Sequence, residues 1–376
     1  MPRFLALTSR GLGGALHSEL HSLGFKHLDK QRSNVAFECS WKDVYRAHLQ
    51  VRTATRIIMP ILDFEAYNQE DLYSALFKKH DFTKYITSEQ TLAIESHVFE
   101  HKALRDQRFV AQKSKDAIVD QFRKKFDERP DVDSKNPDLR VIVRVNRTQI
   151  SVAIDLTGEP LSFRGYRTQA GDAPLRETLA AGLIELSDWD CKSPLVDPMC
   201  GSGTILIEAA LKARGGIMPR IEGFQFQKLL NYDEKMFAKA LSEAAATTNP
   251  SPKLKLFGYD KDAKTIAFAR ANAKRAEVDK WIHFEVKTID KLQAPDVEPG
   301  WLIANPPYAV RLGFEAQVER TWEEIAHTLK TQFKGWTCWL LSGNREVSNA
   351  LHLKSARKIP VMNGPMECRF LNYPIT

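Results

Sequence analysis

Apolar and polar positions follow one another in two different rhythms along this chain, and the change between them divides it. Over roughly residues 1–156, the short apolar runs Phe4–Leu7, Val35–Cys39, Ile57–Leu62 and Thr91–Ser96 predict strands, the third ending at a break. Between them, apolar residues at helical spacing predict three helices. The first carries Ala15, Leu16, Leu20 and Leu23 and stops at Gly24, the second covers Trp41–Ala54, and the third covers Asp71–Lys79. Leu139–Val145 and Ile150–Ile154 alternate inward and outward residues around Asn146–Gln149, the pattern of a hairpin. This half is expected to be a mixed α+β assembly. Gly11-Leu-Gly-Gly14 lacks the full spacing of a dinucleotide loop and is expected to be a turn into a helix.

From Ser193 onward, short apolar strands alternate with helices, which predicts a parallel α/β sheet. The expected strands are Leu195–Val196, Leu254–Tyr259, Ile282–Val286, Trp301–Ala304 and Trp336–Leu341. The stretch between the two regions, residues 155–171, mixes Gly, Pro and Arg without periodicity and is expected to connect them, with a helix starting near Pro174.

The 376 residues carry a formal charge of +7, a modest excess that suits a polyanionic partner without requiring one. Five scattered cysteines show neither a close pair nor zinc spacing, so no metal is expected and a reducing, cytoplasmic setting is. Residues 1–20 contain arginines and glycines, and nowhere do about eighteen apolar residues run together, so neither secretion nor membrane spanning is expected. A monomer is the default state. Between Lys102 and Lys125, eight lysines and arginines stand against three aspartates. Lys113, Lys115, Arg123 and Lys124 are candidates for contact with nucleic-acid phosphates, although a solvated helix face reads the same way. Arg164, Tyr166 and Arg167 could touch RNA or could pin two domains together.

Two segments carry the chemistry. Asp197-Pro-Met-Cys-Gly-Ser-Gly-Thr204 follows a strand and opens a helix; Gly201 and Gly203 let backbone approach a ligand, while Pro198, Cys200, Ser202 and Thr204 complete the turn. No lysine stands where a phosphate loop needs one. Asp197 instead suits the ammonium of an amino-acid-like ligand, such as the methionine part of S-adenosylmethionine. Asp260, with Lys261 after it, ends the next strand, where a carboxylate can accept from a ribose diol. Alternatively, Asp260 caps the following helix. Asp290 stands where an adenine contact is expected. Asn305-Pro-Pro-Tyr308 closes a later strand: the Asn305 side-chain oxygen and the Pro306 carbonyl can each accept a hydrogen from an exocyclic amino group, and Tyr308 can stack on its ring.

These paired motifs resemble the Rossmann-like S-adenosylmethionine-dependent amino methyltransferases. Arg52–Arg56, Leu72-Tyr73, Asp155–Gly158, Arg164–Arg167, Ala173–Ala180 and Asn363–Cys368 extend the resemblance to the THUMP-containing guanine-N2 methyltransferases of bacterial large-subunit (23S) ribosomal RNA. The resemblance implies a ferredoxin-like domain over 1–57, a THUMP RNA-binding domain over 58–156, a linker over 157–172 and a seven-stranded methyltransferase domain over 173–376, its last strand antiparallel. It further implies S-adenosylmethionine as cofactor and N2-methylguanosine as product. Thr288 replaces an acidic residue frequent in relatives, which leaves Asp290 for adenine, and Ala309-Val-Arg311 replaces Gly-Glu-Arg after the tetrapeptide. With one such domain in the sequence, one methylation is expected. Adenine N6, a protein glutamine, another RNA such as tRNA, and a non-catalytic role in ribosome assembly remain as alternatives.

Overall fold

The computed structural model describes residues 1–168, 175–308 and 315–376. The expected helix start at Pro174 and the Ala309–Arg311 segment lie outside the described residues. The first half supplies β1 (Arg3–Leu7), α1 (Gly13–Ser22), β2 (Asp29–Lys30), β3 (Asn34–Glu38), α2 (Trp41–Gln50), β4 (Arg56–Glu65), α3 (Gln69–Lys79), β5 (Thr91–Phe99), α4 (Gln107–Phe126), β6 (Asp131–Val132), β7 (Leu139–Asn146) and β8 (Gln149–Asp155). Its strands form one sheet in the order β2-β3-β1-β4-β8-β7-β5-β6. The Ser40, Asn68 and Asp106 side chains accept backbone N–H groups at the starts of α2, α3 and α4, which fixes where each helix begins.

Two departures from the sequence expectation have local causes. Helix α2 stops at Gln50 and not at Ala54, because Val51 turns extended and the next two amides, of Arg52 and Thr53, donate to the Glu19 carboxylate at 3.0 and 2.9 Å. Strand β4 runs past Pro60 to Glu65, with the register slipping between Pro60 and Leu62, so the missing N–H falls at an irregularity. The expected boundary between residues 57 and 58 thus lies inside β4, which pairs with β1 through its first residues and with β8 along its length.

The second half supplies α5 (Glu177–Leu186), β9 (Leu195–Asp197), α6 (Thr204–Arg214), α7 (Glu234–Ala246), β10 (Leu256–Asp260), α8 (Ala263–Arg275), β11 (Ile282–Val286), β12 (Trp301–Ala304), α9 (Glu315–Gln332), β13 (Thr337–Ser342), α10 (Arg345–Asn349), β14 (Arg357–Asn363) and β15 (Met366–Pro374). Its sheet has the order β11-β10-β9-β12-β13-β15-β14, with β15 antiparallel to both neighbours and β9 to β13 parallel. Strand order reverses between β9 and β12. In a doubly wound sheet the carboxyl ends of those two strands flank the ligand crevice, and both chemical motifs leave from them.

The two halves exchange core residues. Leu12, ahead of α1, belongs to the core of the second sheet, and a Cβ on Gly182 of α5 would lie 2.7 Å from Leu12 Cδ1. In return, Phe224, Phe226, Leu229 and two alanines of α7 join the first core, where Phe226 stacks on Tyr45 at 4.5 Å. Buried ions cross the same seam: Arg52 meets Glu19 at 3.1 Å and Glu185 at 2.5 Å. The expected linker is therefore packed where it is described, with Thr157, Arg164 and Tyr166 buried.

Candidate active site

Behind β9, the chain makes a tight turn that only glycine accommodates cheaply: Gly201 has φ +53° and Gly203 φ +85°. A Cβ on Gly203 would press on Phe284 and Ala269 at 3.0 and 3.2 Å, whereas one on Gly201 would point into open space. The turn is wired to the next strand. Cys200 N donates to the Tyr259 carbonyl at 2.8 Å, and Gly201 N donates to Asp260 Oδ2 at 3.0 Å. The other Asp260 oxygen accepts from Asp262 N at 3.1 Å, and Asp262, not Asp260, caps α8. The capping alternative for Asp260 is thereby removed, and its carboxylate lies at the mouth of the crevice.

Asp197 is buried to 1% exposure and accepts from Met199 N at 3.1 Å. Burial, with Asp260 nearby, pushes its carboxyl up to about 8, so near neutrality it holds a proton unless a cation joins it. Cys200 is buried too, and burial raises its thiol well above the usual range. Neither Asp197 nor Cys200, Gly201, Ser202, Gly203 or Thr204 lines the cavity beside the turn; Pro198 and Met199 do.

That cavity, about 620 Å³, is lined by Pro198, Met199, Asp260 and Lys261 and also by Asn305, Pro306, Pro307 and Tyr308. Thr288 and Asp290 line it too. Residues of the two segments that the sequence placed about a hundred residues apart thus line one space. The tetrapeptide is held by bonds from α9 and the final hairpin: Trp322 Nε1 donates to the Pro307 carbonyl at 2.8 Å, and Asn363 Nδ2 donates to the Tyr308 hydroxyl at 2.8 Å. Tyr308 is buried, and burial raises its phenol far above the ordinary value, so it works as a neutral ring. A Cβ on Gly343 would lie 2.6 Å from Tyr308 Cδ2, so the bare glycine backbone lets the ring lie close.

Asn305 differs from its surroundings. Its side-chain oxygen is buried, and among the described residues no donor reaches it. A buried acceptor without a partner costs of the order of 1–3 kcal/mol, a penalty that a bound N–H group relieves. The glycine cradle open at Gly201, the Asp260 carboxylate and this acceptor fit a nucleoside-type donor with an amino-bearing acceptor opposite it.

Sequence reasoning missed Lys287, Thr321 and Glu324, which also line the cavity. Two of them come from α9, whose amphipathic pattern gave no sign of which turn would face the crevice. The expectation of RNA contact at Arg164 is corrected: the guanidinium is 3% exposed, bonded to Glu208 at 3.2 Å and to the Arg52 carbonyl at 2.7 Å, and it pins the halves together. Tyr166 joins the same Glu208 at 2.9 Å. Arg167 is committed to Glu177 at 3.0 Å and to the Leu175 carbonyl. On α4, Lys115 pairs with Asp116 and Arg123 with Asp120, while Lys113 and Lys124 lie over the rings of Tyr73 and Phe77.

Residues 3–58 match the RlmL ferredoxin-like domain, residues 66–155 the THUMP domain, and residues 164–372 the RMKL-like methyltransferase domain. The chain is 38% identical over its whole length to the ribosomal RNA large subunit methyltransferase K/L of Aliivibrio salmonicida, of which it spans 54%, about half. It is 35% identical to a Synechocystis protein provisionally assigned as an RNA methyltransferase, covering 99% of this chain and 96% of that one. Among solved structures, SMU.472, provisionally assigned as a methyltransferase and crystallised with SAH, superposes with a TM-score of 0.89 at 25% identity, covering 100% of this chain and 98% of the other. The chain therefore belongs to the family of the RMKL-like methyltransferase domain, here joined to a THUMP domain and an RlmL ferredoxin-like domain.

Proposed function

We propose that this protein transfers a methyl group from S-adenosylmethionine to the exocyclic N2 of a guanosine in large-subunit ribosomal RNA, in the cytoplasm. The observation that carries the reading is the buried, unpartnered oxygen of Asn305, a residue that lines one cavity together with Pro198, Met199 and Asp260. The names of the curated relatives and the THUMP match support RNA as the acceptor, and the SAH held by the structural neighbour supports the donor. When bound, the donor supplies an electrophilic methyl carbon.

The chain's part is to bind and aim. Asp260 takes the ribose hydroxyls, and Asp290 in the cavity lining takes the adenine amino group. Asp197, buried next to Pro198 and Met199, would be the partner of the donor's ammonium group, whose positive charge would favour the ionised carboxylate, the proton leaving to water. Asn305 and the Pro306 carbonyl each accept one hydrogen of the guanine amino group, which directs its lone pair along the line of attack, a gain from positioning and preorganised dipoles. Tyr308 offers its ring to the flipped base. With the donor in place, the C–N bond would form as the methyl–sulfur bond broke with its electron pair returning to sulfur, and the surplus amino proton would leave to water. The exposed cations of α4 add long-range attraction for RNA.

The test is incubation of the protein with labelled donor and total RNA from cells lacking it, followed by mass spectrometry of the nucleosides. N2-methylguanosine in large-subunit RNA is expected. Label in N6-methyladenosine, or none in RNA, would overturn the reading.

A further inference from the structure

Beyond the reactive cavity, the final hairpin borders a second space of about 700 Å³, which the sequence did not foreshadow because its cations lie far apart along the chain. Arg345 comes from α10, Lys354 from the loop after it, and Lys358 and Arg369 from β14 and β15. The register sets Pro360 opposite Arg369 and Lys358 opposite Leu371, so Lys358 and Arg369 are near neighbours on one side of the hairpin. All four cations are exposed. Among the described residues no carboxylate lies within ion-pair distance of any of them, although Glu367 also lines the cleft. Four like charges left unpaired in a cleft oppose one another, and a polyanion removes that cost.

The cleft also adjoins the proposed site. Gly343 lines it, and that same glycine backs the Tyr308 ring and the Met366 sulfur, each 2.6 Å from where its Cβ would be. Met366 and Tyr308 in turn line the reactive cavity. One thin wall separates the place for a base from a cationic trough of nucleotide dimensions.

We propose that this cleft grips the sugar–phosphate backbone of the RNA strand immediately flanking the methylated nucleotide, and so holds the flipped base in register. The inference rests on the methyltransferase reading for its choice of polyanion, and it makes the catalytic domain, besides the THUMP domain, a site of RNA contact. Phosphate contacts of this kind position without reading sequence.

The test is a quadruple variant, Arg345→Gln, Lys354→Gln, Lys358→Gln and Arg369→Gln, in the full chain, with Arg345→Lys and Arg369→Lys as the charge-conserving control. Direct binding of a single-stranded RNA oligonucleotide across a salt series is measured for each, alongside methyl transfer. Each lost phosphate contact flattens the log–log salt slope by about 0.7. The glutamine variant is expected to lose about two or more units of slope and to show a raised KM for RNA, with donor affinity, thermal midpoint and kcat at saturating RNA kept; the lysine control keeps the slope. An unchanged slope and KM in a folded glutamine variant overturns the cleft while leaving the methyltransferase reading intact. Wild-type protein that transfers no methyl group to RNA sinks that reading instead, and the salt series still decides the cleft.

Discussion

Two cation-rich surfaces of this molecule look unequal from opposite directions, depending on whether the chain or the fold is consulted. Helix α4 carries its lysines and arginines along one twenty-residue helix, yet Lys115 and Arg123 face aspartates and Lys113 and Lys124 cover aromatic rings. The trough beside the final hairpin gathers Arg345, Lys354, Lys358 and Arg369 from separate elements and leaves them unpaired. The density of charge along a sequence therefore does not measure the charge available to a ligand. A polar group that the fold declines to pair is the better indicator, and the Asn305 oxygen is the buried counterpart of the exposed cleft.

The comparison is sharpened by removing paired and unpaired groups in turn. The largest effect is expected at a paired one: Arg164→Ala strands the buried Glu208 carboxylate and should cost about 3–5 kcal/mol in denaturant-measured stability, as expected for half of a buried pair. Stability within 1 kcal/mol of wild type would show that Arg164 does not pin the halves. Next comes the unpaired acceptor. Asn305→Ala should lower kcat by roughly 10²–10³-fold, the scale of one preorganised oriented contact, with donor affinity unchanged by calorimetry; retained turnover removes its role. Asp260→Ala should weaken donor binding by about tenfold to a hundredfold, the worth of a hydrogen bond to a charged group, and equal affinity would make its carboxylate merely a brace for Gly201.

A smaller signal concerns protons. Asp197 keeps its proton below about 8, and an ammonium beside it favours the ionised form. Donor binding at pH 7 should therefore release up to about one proton, seen as a dependence of calorimetric heat on buffer ionisation, and the release should fade as the pH rises past 8, where the free protein has already lost it. Buffer-independent heats at pH 7 would leave Asp197 as a purely structural acid. The smallest change is expected on α4: neutralising Lys113, Lys115, Arg123 and Lys124 together should weaken RNA binding by about twofold or less at moderate salt, since their charge is partly spent on neighbours. A larger loss there than in the cleft variant reverses the comparison.

What could be read from the chain was what is local. The glycine turn after β9 and the Asn-Pro-Pro-Tyr segment after β12 are each built by adjacent residues, so strand, turn and chemistry appear together in the sequence. The antiparallel last strand and the seven-stranded sheet came from the family resemblance and are present in the fold. What stayed hidden depends on distant partners. Leu12 serves the far core because Gly182 leaves a socket for it, and Phe226 and Phe224 join the first core, against Tyr45 and His48. Nothing in the spacing around Arg164 reveals Glu208 44 residues away, and nothing near Asn363 reveals that it holds the Tyr308 hydroxyl.

The most direct test of the account is a crystal structure of the protein with SAH and a guanosine-containing oligonucleotide. The guanine N2 is expected within about 3 Å of Asn305 Oδ1, with the donor sulfur near Pro198 and Met199 in the same cavity. A donor seated elsewhere, or a guanine amino group turned away from Asn305, would contradict it.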